Sequence, residues 1–500
     1  MPRTDPVEPA AKSAVSFEIR EVGHVKSVRE LIVRVVGLPS CMNGQMVTFA
    51  NGARGMVMGF GEHEVQVLLF GGKGCVRAGD EVYNRGEEFR VPVGEAFAGR
   101  IVSALCEPMD GRGPIGASEA YSVFAEAPNV MERLPVDQTV ETGTRILDAV
   151  IPIAKGQRQL IIGDRMTGKT TLGVDAILNQ AGKNMIGIYC CIGKTYSSLV
   201  KICRLLQNRG AMDYSIIVSA PASTPVGEQY LSPYTAAALG EYFMRHGRDV
   251  LVVFDDLTKH AWIYRQLSLL LERAPGREAY PGDIFYIHSQ LLERAAYLGK
   301  EMGGGSMTFF PICDILQGDV TGYVPSNLVS MTDGQIYLST ELFNKGIKPA
   351  IDFGLSVSRI GSKAQWPAMK ELSGRLRLEY VQYQELLQMT QLRTNLSSEA
   401  EARLRRGETI TALLAQDKHQ PADMEDQILQ LYALRAGVLD EFSVEQVKRF
   451  KREFALSVRE GFPQLVAELR KRRTLTTELK KQLDESLKRY LQGLMKEGPR

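Results

Sequence analysis

A glycine-rich loop of Gly163, Asp164, Arg165, Met166, Thr167, Gly168, Lys169 and Thr170 follows the apolar run at residues 159–162 and leads into a helical pattern over 171–180. Strand, loop and helix in that order match the phosphate-binding pattern GxxxxGK[ST], and the physics of the loop accounts for its residue types. Glycines let successive N–H groups turn inward, and the helix that begins where the loop ends adds its positive dipole end to the same anion site. Lys169 is expected to reach the β- and γ-phosphates of a bound nucleotide, and the Thr170 hydroxyl to ligate Mg2+.

A carboxylate further along supplies the partner such a loop needs. Residues 250–254, VLVVF, are continuously apolar, as a strand buried on both faces requires, and they deliver Asp255 and Asp256 at its C-terminal end. Asp255 is thereby placed to hold the hydrated Mg2+ beside Thr170. Away from a phosphate loop the same two acids would read as surface residues of a turn.

The elements that must position these groups are legible as changes of texture. Residues 1–16 are aperiodic and read as a flexible tail. From 17 to 93, short β-rich runs at 24–36, 45–49, 55–59 and 64–70 are separated by turn signals such as Asn43-Gly44, Asn51-Gly52 and Ala78-Gly79-Asp80, which predicts a small antiparallel barrel or sandwich. Over 94–366, strands at 159–162, 185–192, 214–219 and 250–254 alternate with helical intervals, as a parallel α/β sheet demands. From 367 to 500, glycine and proline thin out; Leu475, Leu479, Leu483, Leu487, Leu491 and Leu494 recur at helical spacing, and Arg470 to Arg473 reads as a solvated helix end.

Composition excludes several classes. The chain of 500 residues has 60 basic against 58 acidic side chains and a net charge of +2, so nothing asks for nucleic acid. The seven cysteines, Cys41, Cys75, Cys106, Cys190, Cys191, Cys203 and Cys313, lack metal-like spacing and read as buried thiols in a reducing compartment. The N-terminus has no apolar core of a secretory signal, and no uncharged apolar run is long enough to span a bilayer, so any membrane role is expected through partners.

Several separate motifs, in order, resemble one family. The loop GDRMTGKT, the strand end VVFDDLTKHA, the segment from Arg273 to Ala296, the block TDGQIYL and the run PAIDFGLSVSRIG from Pro349 to Gly361 are similar to the alpha subunits of F-type ATP synthases over about residues 23–490. The resemblance implies a multidomain α/β protein: an N-terminal β-barrel, a central RecA-like phosphate-loop sheet and a C-terminal helical bundle. It implies a non-catalytic, regulatory subunit that binds Mg-ATP in an alternating α3β3 ring with catalytic beta subunits. The gamma central stalk and peripheral-stalk subunits would be further partners, and the membrane would be met only through the Fo sector. It would lie peripherally on the cytoplasmic face of a bacterial inner membrane, coupling ATP synthesis or hydrolysis to proton or sodium flow chosen elsewhere in the complex.

Two positions carry the division of labour. Catalytic phosphate-loop ATPases need a group that orients water at the γ-phosphate, and beta subunits place a glutamate just after the second strand. Here that position is Lys194, which cannot act as a carboxylate and is read as an ionic contact to bound phosphate. Arg359 matches the arginine that alpha subunits present to the neighbouring catalytic site, where it would stabilise charge in phosphoryl transfer, with Ser356 supporting it. Phe343 and Gln416 match adenine-pocket positions. Met166, Lys348, Asp352 and Lys418 depart from the usual glutamine, arginine, asparagine and glutamine, and the family's N-terminal helix has no counterpart in residues 1–16. The competing reading is a self-sufficient homohexameric RecA-like ATPase motor, which would need another base such as Glu228 or Glu241.

Overall fold

The computed structural model describes residues 21–71, 76–390 and 397–497, so the expected tail at 1–16, Cys75 and the Leu494 side chain lie outside the described residues. The chain divides into two units, before and after Phe89.

In the first unit, β1 (Glu21–Arg29), β2 (Ile32–Val36), β3 (Gln45–Phe49), β4 (Arg54–Phe60), β5 (Val65–Phe70) and β6 (Glu81–Glu88) close into an antiparallel barrel in the order β1-β2-β5-β4-β3-β6. It is a barrel and not a sandwich because β1 pairs on one edge with β2 and on the other with β6. The run at 24–36 is two strands, folded back at Glu30 and Leu31. Val33, Val35, Val47, Val57, Val67 and Val82 fill the interior, where β-branched side chains suit a pleated, buried surface. Gly52 turns the hairpin between β3 and β4 at φ 83°, a left-handed conformation that a Cβ would penalise.

In the second unit, β7 (Arg90–Val93) pairs with β9 (Glu119–Ser122), and β10 (Thr139–Val140) with β11 (Ile153–Ala154). The remaining strands form one sheet: β8 (Ile101–Ser103), β12 (Leu160–Asp164), β13 (Met185–Ile192), β14 (Ser215–Ala220), β15 (Asp249–Asp255), β16 (Ala296–Tyr297), β17 (Ser306–Ile315), β18 (Gly334–Leu338) and β19 (Val357–Ser358). Its order is β19-β18-β12-β17-β15-β13-β14-β8, parallel except for β19 at one edge and β16, which pairs antiparallel with β17. The central strands are buried on both faces, which is why they read as unbroken apolar runs.

The sheet order puts β17 between the loop-bearing β12 and the acid-bearing β15. The helix Lys169–Leu178 begins two residues earlier than the periodicity predicts, so Lys169 and Thr170 lie in its first turn, whose N–H groups have no helical acceptor. That helix lies close to β15: a Cβ on Gly173 would meet Val253 Cγ1 at 2.7 Å.

Helices Pro367–Ser373, Leu376–Thr390, Ser398–Leu414, Met424–Arg435, Val444–Gly461, Pro463–Arg472 and Thr477–Glu497 follow. Proline opens two of them at a position where its missing N–H costs nothing, and Ser443 with Gln446 closes a capping box on another. Leu479, Leu483 and Leu487 bury the predicted stripe in a core that continues through Trp366 to the sheet. Arg470 and Arg472 of the basic run pair with Glu425 and Glu468. Among the described residues, no helix is long and apolar enough to cross a membrane.

Candidate nucleotide-binding site

The loop is held by its own polar atoms and by its neighbours. Gly163 closes β12 so tightly against β18 that a Cβ there would meet the Leu338 carbonyl at 2.6 Å. The Asp164 carboxylate accepts from the Gly318 N–H at 3.0 Å and from the Thr340 hydroxyl at 2.7 Å, which anchors the loop to the segments after β17 and β18. Thr167 donates to the Asp164 carbonyl at 2.8 Å. Gly168 and Met166 both take positive φ, 107° and 65°; the cost at Met166 falls on an ordinary L-residue whose side chain is 90% exposed at the cleft.

Three carboxylates line the C-terminal ends of the neighbouring strands, and each has its own lysine. Lys169 Nζ lies 2.9 Å from Asp314 Oδ1 and also donates to the Gly163 and Asp164 carbonyls, at 2.9 and 2.5 Å. Lys259 pairs with Asp256, which also caps its helix by accepting from the Lys259 N–H at 2.8 Å. Lys194 Nζ lies 2.5 Å from Asp255 Oδ1 and donates to Thr170 Oγ1 at 2.7 Å. Asp255 is fully buried and its Oδ2 accepts from Thr170 at 2.7 Å and from Tyr189 at 2.8 Å. Burial works against the Lys194 charge, but Asp255 beside it outweighs this and holds the ammonium above its usual range. Burial raises the Asp256 carboxyl despite Lys259.

The structure brings together Thr170 and Asp255, the two residues the sequence pairs, and sets Lys194 beside both. Expected on phosphate, it sits on the two groups assigned to the metal. Those residues do not fit Mg2+ as they stand. A dication on the same oxygens would lie within about 4 Å of the ammonium, where each unit of like charge costs about 4 kcal/mol at an effective dielectric near 20. Arg165, largely exposed, approaches Asp314 at 3.8 Å.

A cleft of about 580 Å³ opens from Thr167, Gly168 and Thr171 toward Phe343, Gln416 and Lys418. Its size and its single aromatic face suit a nucleoside. Lys348 Nζ stands 5.2 Å from the centre of the Phe343 ring, so the departure from arginine keeps a cation on the face a base would stack against. Gln416 is committed to the loops around it: its amide donates to the Gly143 and Gln420 carbonyls at 2.7 Å each and accepts from the Arg145 N–H at 3.0 Å. It shapes the wall of the cleft.

Arg359 and Ser356 lie elsewhere. Ser358 pairs with Gly334 at the start of β18, whereas Leu338 at its end pairs with Gly163. Four residues of strand separate these ends by about 13 Å. Arg359 is exposed, and among the described residues its guanidinium donates only a long 3.4 Å bond to the Thr332 carbonyl. Ser356 is fully buried; its hydroxyl accepts from the Tyr337 N–H at 2.9 Å, and Arg377 donates to its carbonyl at 3.1 Å. Asp352 organises the turn that leads into Ser356 by accepting from the Gly354 and Leu355 N–H groups at 2.7 and 3.0 Å.

Of the acids a self-sufficient motor would need, Glu241 is buried in a two-pronged ion pair with Arg294, at 2.7 and 2.9 Å, which commits both its oxygens to structure. Asp314 is the site residue sequence reasoning missed. Its signal was available: the apolar run 309–313 ends in an acid just as 250–254 does. The described cysteines are buried thiols, and burial pushes those of Cys191 and Cys313 up to about 12.

Comparison with known proteins matches three domains of one family in this order. The beta-barrel domain of the ATP synthase alpha/beta family covers residues 18–86, its nucleotide-binding domain 143–358 and its C-terminal domain 365–490. The ATP synthase subunit alpha of Clostridium botulinum (strain Eklund 17B / Type B) is 45% identical over 476 residues, 95% of this chain and 94% of that protein. That of Petrotoga mobilis (strain DSM 10674 / SJ95) is 44% identical over 492 residues, 98% of each. With the family's domains in sequence and its alpha subunits matched nearly end to end, the chain belongs to the ATP synthase alpha/beta family, on the alpha side.

Proposed function

We propose that this alpha subunit holds an ATP or ADP that it does not turn over, and that it lends Arg359 to the catalytic site of a neighbouring beta subunit. One observation carries the first half. The second residue after β13, where a catalytic site keeps a carboxylate to orient water, is Lys194, and its ammonium donates to Thr170 and is ion-paired with Asp255. Lysine has three donors and no acceptor, so it offers water no base. The second half is supported by Arg359 standing exposed at the far end of β18, away from the chain's own loop and available to another subunit.

The nucleotide enters the cleft with its base toward Phe343 and its phosphates on the loop amides and Lys169, which leaves Asp314 to do so. Mg2+ on Thr170 and Asp255 belongs to this reading only where Lys194 gives way. The partners follow from the alpha role: beta subunits in an alternating α3β3 ring, the gamma central stalk, and peripheral-stalk subunits, on the cytoplasmic face of a bacterial membrane. The coupled ion, proton or sodium, passes through the Fo sector.

The test is the assembled complex with Arg359→Ala. Arginine fingers supply about 10³–10⁵ in rate, so turnover should drop at least a few hundred-fold while assembly persists. Normal turnover in the assembled variant would remove the assignment.

A further inference from the structure

We propose that this nucleotide site takes ATP or ADP as the free anion, with the Lys194 ammonium standing where a divalent metal would otherwise bridge Thr170, Asp255 and the phosphates. The inference rests on the nucleotide-binding reading above and adds to it the ionic form of the ligand.

The cation position in a phosphate-loop site is defined by the hydroxyl of the loop's last residue and the carboxylate at the end of a nearby strand. Both are here, 2.7 Å apart, and Lys194 Nζ touches each, at 2.7 Å from Thr170 Oγ1 and 2.5 Å from Asp255 Oδ1. The ammonium arrives on a short, fixed tether. Cys191 pairs with Asp255 across β13 and β15, and the backbone just beyond is pinned where the Gly193 N–H donates to the Ala220 carbonyl and the Ala222 N–H donates to the Lys194 carbonyl, each at 2.8 Å. Lys194 is thus three residues past the strand position that faces its own counter-ion.

The chemistry of the substitution balances. A lysine ammonium is a compact cation with three donors; one bonds Thr170, the charge sits 2.5 Å from Asp255 Oδ1, and a donor remains for a phosphate oxygen. It supplies charge-assisted hydrogen bonding to the β- or γ-phosphate but neither a metal's coordination sphere nor a metal-bound water. The site gives up the groups that would polarise a phosphoryl oxygen and keeps those that bind one. Such a site holds nucleotide whether or not free magnesium is present.

The experiment uses the full-length chain, with equilibrium binding of a fluorescent ATP analogue measured in excess Mg2+ and in EDTA. Wild type should bind within about threefold in the two conditions, and Lys194→Gln should lose roughly 10–100-fold on chelation, the worth of a charged hydrogen bond no longer supplied by the protein. A second measurement does not depend on that variant folding: Mn2+ titrated into the wild-type chain with saturating ATP, read by electron paramagnetic resonance, should give no protein-dependent change in the Mn–ATP signal. Wild-type affinity that collapses in EDTA, or stoichiometric Mn2+ held at the site, would overturn the proposal while leaving nucleotide binding intact. Failure to bind in both conditions would overturn the nucleotide reading itself, and this inference with it.

Discussion

Two regions of the sheet, at opposite ends of β18, use positive charge in opposite ways. Around the phosphate loop, Lys169, Lys194 and Lys259 are each paired with a carboxylate at a strand end, and Asp255 is fully buried beneath them. At the other end, the exposed Arg359 guanidinium has, among the described residues, a single long bond to the Thr332 carbonyl, and the buried Ser356 supports the backbone that leads to it. A charge matched within its own chain is a holding device; a charge presented at the surface without a close partner is available to someone else's transition state. The difference is what the proposed separation of binding from chemistry in this subunit rests on.

Four experiments break or sharpen that contrast. The largest effect should come from Arg359→Ala, with the loss of at least a few hundred-fold in turnover derived above and no change in the nucleotide held by the subunit itself. If own-site affinity falls together with turnover, the two ends are not independent. Lys169→Ala acts on the other end. Removing a charged hydrogen-bond donor worth about 1.5–3 kcal/mol should weaken the chain's own nucleotide binding roughly 10–100-fold, and leave turnover of the assembled complex within a few fold. Loss of turnover on that scale would mean that the holding site takes part in the chemistry.

Ser356→Ala removes the acceptor for the buried Tyr337 N–H and should cost about 1–3 kcal/mol of stability. Because it loosens the approach to Arg359, we expect a lower kcat in the assembled complex with an unchanged own-site affinity. Calorimetry and binding on the same preparation separate the two effects. The smallest concerns pH. Burial lowers His260 to about 4 and His288 to about 3, the latter also disfavoured by His260 beside it. Both are neutral in the fold and protonate near 6.5 when unfolded, so their contribution is complete above pH 6.5 and is lost as pH falls toward 4. Between pH 7 and 5.5 each should remove about 1 kcal/mol of stability. His260 lies on the helix capped by Asp256, so the strain falls behind the nucleotide site and not at the Arg359 edge. Melting curves at the two pH values should show a drop that His288→Gln reduces; an unchanged slope would place the pH sensitivity elsewhere.

Much of this was legible beforehand where local pattern decides the outcome. The strand Met185–Ile192 reads directly because a parallel strand buried on both faces leaves an unbroken apolar run, and the pairing of Thr170 with Asp255 follows from motif and strand end together. The leucine stripe of the last helix reads for the same reason at helical period. What was not legible depends on partners remote in sequence. Barrel closure rests on β1 meeting β6, which no local spacing announces. Lys194 was singled out for what it lacks, and its bonds to Asp255 and Thr170 emerge only when β13 and β15 are set side by side. Asp314 escaped because its strand lies between the two that carry the motifs, a matter of sheet order rather than sequence order.

The claim that binding and chemistry are separated is tested most directly by loading the purified chain alone with radiolabelled ATP and following the bound nucleotide through one residence time. The account predicts ATP recovered intact, with hydrolysis beginning only when a catalytic beta subunit is added. Conversion of the bound ATP to ADP by the chain by itself would contradict it, and would make Lys194 no obstacle to catalysis after all.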